Sequence, residues 1–148
     1  MEHPDKLKAL HAIIIENTFK IECEVLEGGT LPSKKNSTDA GWDLYATSDI
    51  NLYPGQVLKH PLNIRLKLPA GSWAEITTKS GLGAQGQLVY AGVIDELYRG
   101  VPHVVMTNVK HRDNDGNLNL SPLVIKKGEK LAQLIMNPYS GSYFLVQV

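Results

Sequence analysis

Residues 62–78 read Leu62-Asn63-Ile64-Arg65-Leu66-Lys67-Leu68-Pro69-Ala70-Gly71-Ser72-Trp73-Ala74-Glu75-Ile76-Thr77-Thr78. From Leu62 to Leu68 apolar and polar residues alternate without a fault. A period of two puts one face of a strand in a core and the other in water. Pro69-Ala70-Gly71 turns the chain, and Trp73, Glu75 and Thr77 then oppose Ala74, Ile76 and Thr78. Strand, turn and strand with no helical period between them predict a β protein.

The same pattern recurs on both sides. Phe19, Ile21, Cys23 and Val25 alternate with Lys20, Glu22 and Glu24 until Gly28-Gly29 ends the run. Trp42, Leu44 and Ala46 alternate, and Tyr53-Pro54-Gly55-Gln56 has proline and glycine in their turn places. His103 to Val109 is β-prone, and Asp113-Asn114-Asp115-Gly116 is a hairpin signal. Leu118, Leu120 and Leu123 to Ile125 follow. After the turn Lys127-Gly128-Glu129 come an apolar run, Leu131 to Met136, and a final strand, Tyr143 to Val148. Only Pro4 to Asn17 has a helical period, with Leu7, Leu10, Ile13 and Ile14 on one side. Nothing after residue 17 does, which argues against βαβ units. The expectation is one all-β domain over residues 1–148, an antiparallel sandwich or barrel, with a helical extension at 1–17 and a β core at 19–148.

The chain has 148 residues, with 15 basic and 15 acidic side chains. Zero net charge argues against an electrostatic nucleic-acid binder, though a few placed cations can still hold a small anion. With 43% hydrophobic and 20% charged residues, it has the composition of a globule rather than of a disordered chain. One cysteine, Cys23, permits no internal disulfide and suggests a reducing, intracellular setting, cytoplasmic or nuclear. No run of 18 apolar residues suggests a membrane span, and Ala12 to Ile15 is too short for a secretory core. The five histidines lack metal-ligand spacing. Cys23, on the face with Phe19 and Ile21, reads as a packed thiol.

Three motifs have ordinary readings. Gly81-Leu82-Gly83-Ala84-Gln85-Gly86 fits G-x-G-x-x-G, but the residues after it are β-prone. It reads as a glycine-rich turn whose amides could line an anion site, not as a dinucleotide fingerprint. Asp113 to Gly116 lacks the glutamate of a calcium loop. Asn36-Ser37-Thr38 matches a glycosylation acceptor with no secretory signal before it.

Four segments are not explained by a core. They are Asp39 to Ala46, Lys79 to Gly83, Ala91 to Gly100 and Lys127 to Ile135. Each sets polar or charged residues beside glycine or inside an apolar run. Asp95 ends the run Val93-Ile94, where a carboxylate must be hydrogen-bonded, paired or functional. Gln133 stands between Leu131 and Leu134, a place where a satisfied sheet-edge amide is the ordinary occupant.

In this order and spacing the segments resemble the trimeric all-β dUTPase family. The family's A-G-x-D-L is Ala40 to Leu44, and its P-R-S-G-L-A is Thr78 to Gly83. Its G-V-I-D-x-D-Y-R-G is Gly92 to Gly100, and its G-x-x-x-A-Q-L-I is Gly128 to Ile135. The resemblance implies a jelly-roll-like β fold and a homotrimer with active sites between subunits. It implies hydrolysis of dUTP to dUMP and pyrophosphate, with Mg²⁺ carried mainly on the substrate phosphates and no direct protein ligand. Asp95 is then the base that activates water, and Gln133 helps hold that water. Lys79, with the hydroxyl and amides of Ser80 and Gly81, meets the triphosphate. Asp43 orients metal-bound water or a cation. Tyr98 packs under the deoxyribose. A hairpin from Val89 to Ile94, with Tyr90, Gly92 and Ile94, reads uracil through backbone groups, and Arg99 joins the binding set. A viral or phage origin is compatible.

The chain departs from the family in several places. Lys79 keeps the charge of the usual arginine but loses its fork. Leu97 stands where a second acid is usual, and Pro102 is expected at an edge or bulge. The chain ends at Val148 without a tail of the type R-G-x-x-G-F-G-S-T-G, a loss expected to cost much of the activity. That tail and Leu97 motivate a second reading, a dUTPase-fold regulator that binds a nucleotide or a protein partner. A third is a dCTP deaminase with Glu96 as base. Retention of Asp43, Ser80, Asp95 and Gln133 favours hydrolysis.

Overall fold

The computed structural model describes residues 5, 6, 8, 20–110, 112–139 and 145–147. In chain order the described elements are β1 (Glu22–Val25), β2 (Gly41–Tyr45), β3 (Ile50–Leu52), β4 (Val57–Pro61), β5 (Ile64–Lys67) and β6 (Ser72–Thr77). Then come α1 (Ser80–Gly83), β7 (Gln87–Tyr90), β8 (Val93–Ile94), β9 (His103–Asn108), β10 (Leu123–Ile125) and β11 (Lys130–Pro138). They form a four-stranded sheet, β2-β11-β6-β8, a three-stranded sheet, β4-β9-β7, and the pairs β1-β5 and β3-β10. Among the described residues each of these ladders is antiparallel, and the sheets form no closed barrel.

The alternation is met where it was clearest. Ile64 and Leu66 are buried while Arg65 and Lys67 are exposed, and Ala74 and Ile76 are buried in β6. One hydrophobic cluster draws on eight strands, among them Leu44 of β2, Leu52 of β3, Met106 of β9, Ile125 of β10 and Leu134 of β11. The Gln56 N–H donates to the Tyr53 carbonyl at 3.1 Å, closing the Pro54-Gly55 turn. Pro102 is buried just before β9, and its carbonyl accepts the Leu62 N–H at 3.1 Å.

Several expectations need correction. A helix does follow residue 17: α1 is a single turn, closed by Gly83 N–H to the Lys79 carbonyl and Ala84 N–H to Ser80. Four residues are too few to show a helical period. Leu118 makes only an isolated bridge to Arg112 and, like Leu120, is exposed. Val25 is exposed on β1. Of the expected last strand, Leu145, Val146 and Gln147 are described and lie outside any strand, while Tyr143, Phe144 and Val148 fall outside the described residues. Of the expected N-terminal helix, Asp5, Lys6 and Lys8 are helical, and its apolar side, Leu7, Leu10, Ile13 and Ile14, lies outside the described residues. No helix among the described residues is long and apolar enough to cross a membrane.

Candidate active site

The register of the four-stranded sheet sets Asp43, Gln133 and Thr77 opposite one another on β2, β11 and β6. Directly opposed residues share a sheet face. The Asp43 carboxylate meets two ammonium groups. Lys79 Nζ donates to Oδ1, and Lys130 Nζ lies 2.8 Å from Oδ2. Burial works to raise the Asp43 carboxyl, but the bonds from Lys130 and Lys79 outweigh it and hold it below the ordinary carboxylate value. The bond to Asp43 in turn raises Lys130 above the ordinary lysine value.

Lys79 is the N-cap residue of α1, and its side chain makes no cap bond. Ser80 and Gly81 follow, exposed, and the first-turn amides of a helix have no acceptor within it. Gln133 donates through Nε2 to the Thr78 carbonyl at 3.1 Å, and Val89 N–H donates to Thr78 Oγ1 at 2.9 Å. The end of β6 is therefore fixed to both β11 and β7. Gln133 is not a sheet-edge residue, because β11 has neighbours on both sides.

A second group gathers around a cavity of about 310 Å³. Gly92, Ile94, Asp95 and Tyr98 line it, with Lys59, His103 and Val105 from the three-stranded sheet. The expected Val89–Ile94 hairpin is not a hairpin. β7 pairs with β9, β8 pairs with β6, and the chain crosses between sheets at Ala91-Gly92. Ala91 takes φ 54°, a left-handed conformation that costs a non-glycine residue energy. Gly92 lies so close to β6 that a Cβ would stand 2.0 Å from the Ile76 carbonyl oxygen. Its own carbonyl accepts the Ile76 N–H at 2.8 Å. The Ile94 side chain belongs to the core at 5% exposure, so it offers backbone rather than side chain to the outside.

Asp95 and Tyr98 sit on the turn after β8. Tyr98 Oη donates to the Val101 carbonyl at 3.1 Å, and the ring lies over Gly100, where a Cβ would come within 2.6 Å of Oη. Arg99 folds back, and its Nη1 donates to the carbonyls of Glu96 and Tyr98. Arg99 borders a different groove, with Cys23, Arg65 and Lys67. Tyr90, at the end of β7, is exposed and is not among the cavity-lining residues. Cys23 packs against the core, and burial raises its thiol.

The two groups stand apart along β6. Ile94 pairs with Ala74, so Asp95 follows toward Trp73, whereas Lys79 lies past Thr77 at the other end. At about 3.3 Å per residue, Trp73 to Thr77 alone spans about 13 Å.

The sequence profile of the dUTPase family matches residues 27–146. The chain belongs to the dUTPase family. It is 35% identical over 108 residues to the deoxyuridine 5'-triphosphate nucleotidohydrolase of Saccharomyces cerevisiae, covering 72% of the chain and 67% of the yeast protein. It is 36% identical over 110 residues, 74% of the chain, to the Pol polyprotein of Ovine maedi visna related virus, of which it spans 9%. In fold it resembles the dUTPase of phage phi11 of S. aureus, solved as a mutant showing coordination of a structural Mg(II) ion. That match has TM-score 0.74 and 24% identity, and covers 87% of this chain and 96% of that one.

Lys130 is absent from the set that the dUTPase motifs mark, and the reason is a bulge. The β11–β2 register shifts between Lys130 and Ala132, so two residues of β11 face one of β2. Under strict alternation Leu131 would share the Asp43 face with Gln133. Instead Leu131 is fully buried and Lys130 reaches Asp43. Lys59, His103 and Val105 were also missed, because the pairing that brings β4 and β9 beside the cavity leaves no local signature. Among the described residues no three of His, Cys, Asp and Glu are grouped to hold a metal ion.

Proposed function

We propose that this chain hydrolyses dUTP to dUMP and pyrophosphate in a site shared between copies, most simply a homotrimer. The observation that carries it is the separation of the two groups along β6. One copy offers Asp95, Tyr98 and the cavity, and another offers Asp43, Lys79, Ser80, Lys130 and Gln133. The outer face of the three-stranded sheet supports this. Its register rows are Val57–Thr107–Leu88 and Lys59–Val105–Tyr90, with Val57 66% and Leu88 48% exposed. An apolar face adjoining a binding cavity is a surface for a second copy.

The chemistry follows from the side chains. Asp95 takes a proton from water as its oxygen bonds to the α-phosphorus. The bond from that phosphorus to the bridging oxygen breaks, and pyrophosphate leaves with the electron pair. Lys79, Lys130 and the Ser80 hydroxyl meet the charge that grows on the leaving group. Asp43 keeps both lysines oriented. The Ala91–Ile94 backbone offers donors and acceptors to uracil, and the Tyr98 ring lies under the sugar, where a 2′-hydroxyl would collide with it. The single carboxylate between the lysines suits an ion that arrives chelated by phosphate, with Asp43 reaching it through water. Mg²⁺ so bound would supply further charge neutralisation.

The deaminase alternative needs Glu96 as base, but its carboxylate accepts the Gly71 N–H at 3.0 Å. The test is pyrophosphate release from dUTP with Mg²⁺, with Asp95→Asn as control. Release that the substitution abolishes is expected. Ammonia release from dCTP, or no turnover by a folded protein that binds dUTP, would contradict the reading.

A further inference from the structure

The turn carrying Asp95 and Tyr98 is closed mostly by its own short bonds. Tyr98 N–H donates to the Asp95 carbonyl at 3.0 Å. Arg99 Nη1 donates to the Glu96 and Tyr98 carbonyls at 2.7 and 3.0 Å, and Tyr98 Oη donates to the Val101 carbonyl. These bonds shape the turn but do not fix it against the sheets. Between β8 and Pro102, among the described residues, one hydrogen bond does so: Gly71 N–H to Glu96 Oε2, across 25 residues of sequence. Gly71 is itself held, because its carbonyl accepts the Tyr139 N–H at 2.8 Å and the next residue begins β6.

We propose that Glu96 is a positioning residue. Its carboxylate grips the Gly71 amide and so holds the Asp95 carboxylate and Tyr98 ring at the rim of the cavity. The inference rests on the dUTP-hydrolysing reading of that cavity. A base must sit within hydrogen-bond reach of its water, and small misplacements cost rate steeply. Glu96 touches no substrate in this account. It acts through the turn, and the adjacent Leu97, 77% exposed, cannot substitute for it.

Glu96→Ala and Glu96→Gln separate this role from others. A glutamine oxygen still accepts an N–H, whereas alanine cannot. With dUTP and UTP as substrates, Glu96→Ala should lower kcat/KM for dUTP about tenfold, the scale of one lost charge-assisted bond. It should also narrow the preference for dUTP over UTP, and Glu96→Gln should restore most of both. Hydrogen exchange read on the unliganded protein should quicken at Gly71 and at 95–98 in the alanine variant only. A glutamine variant as impaired as the alanine one would overturn the proposal, because the charge rather than the bond would then matter. So would an alanine variant with unchanged rates and exchange. If the unsubstituted protein releases no pyrophosphate from dUTP, the functional reading fails, while the exchange data still decide whether Glu96 holds the turn.

Discussion

Asp43 is 8% exposed, and two lysines stand against its carboxylate. Its carboxyl is held below the ordinary value of 3.8, so its contribution to stability is present above that pH and fades as acid protonates the folded carboxylate. In the free protein Asp43 occupies ammonium groups that a triphosphate would take over. Lys130→Ala should therefore lower kcat/KM for dUTP about tenfold, with kcat falling as well as KM rising, and added salt should shrink the difference. Initial rates at two ionic strengths check this, and a Lys130→Ala enzyme with unaltered kcat and KM would remove Lys130 from the site. Asp95 and Gln133 were legible in the sequence as polar interruptions of apolar runs, and Asp43, Lys79 and Ser80 through the resemblance of their segments to the dUTPase motifs. Lys130 was not, because Lys126 and Lys127 stand beside it and only a bulge distinguishes it from them.

At the scale of elements, β6 organises the site: β11 on one side brings Gln133, β8 on the other brings Asp95, and α1 follows its end. Gly92→Ala should be severely destabilising, by about 2–4 kcal/mol, since its Cβ would collide with backbone that no rotamer can move. Urea unfolding measures this, and wild-type stability would show that β8 does not run so close to β6. β4 contributes a different dependence. His60 is buried, and its Nε2 accepts the Thr47 N–H at 3.0 Å. Burial, aided by His103, lowers its pKa below 6.5, so the neutral ring belongs to the folded state. The stability it adds is full above pH 6.5 and is lost as pH falls through the folded value. The melting temperature should decline on acidification from pH 6.5 to 5, and His60→Gln should flatten that decline. The strands were legible wherever the period of two ran unbroken, as at 62–68. Their partners were not. The chain changes sheets at Pro69–Gly71 and at Ala91-Gly92, and a turn sequence looks alike whether it closes a hairpin or crosses between sheets.

At the scale of the molecule, one chain keeps the Asp95 and Lys79 groups apart, and the proposed function therefore asks for a site completed by a second copy. The distance along β6 is set by strand geometry, and no side-chain movement spans it. In the proposed assembly the second copy docks on the mostly apolar rows of β4, β9 and β7 beside the cavity. In the sequence this expectation rests on the resemblance to the dUTPase family alone, because alternation and turns do not say where the motifs fall along β6. Mixing two inactive variants tests the shared site directly. Asp95→Asn spoils one half and Lys79→Ala the other. Co-expressed with different tags and purified through both, the mixed trimers should each hold one intact site in three and recover about a third of wild-type activity, since each site draws its halves from different copies. A co-purified mixture as inactive as its parents, or a monomer that hydrolyses dUTP, would contradict the shared site.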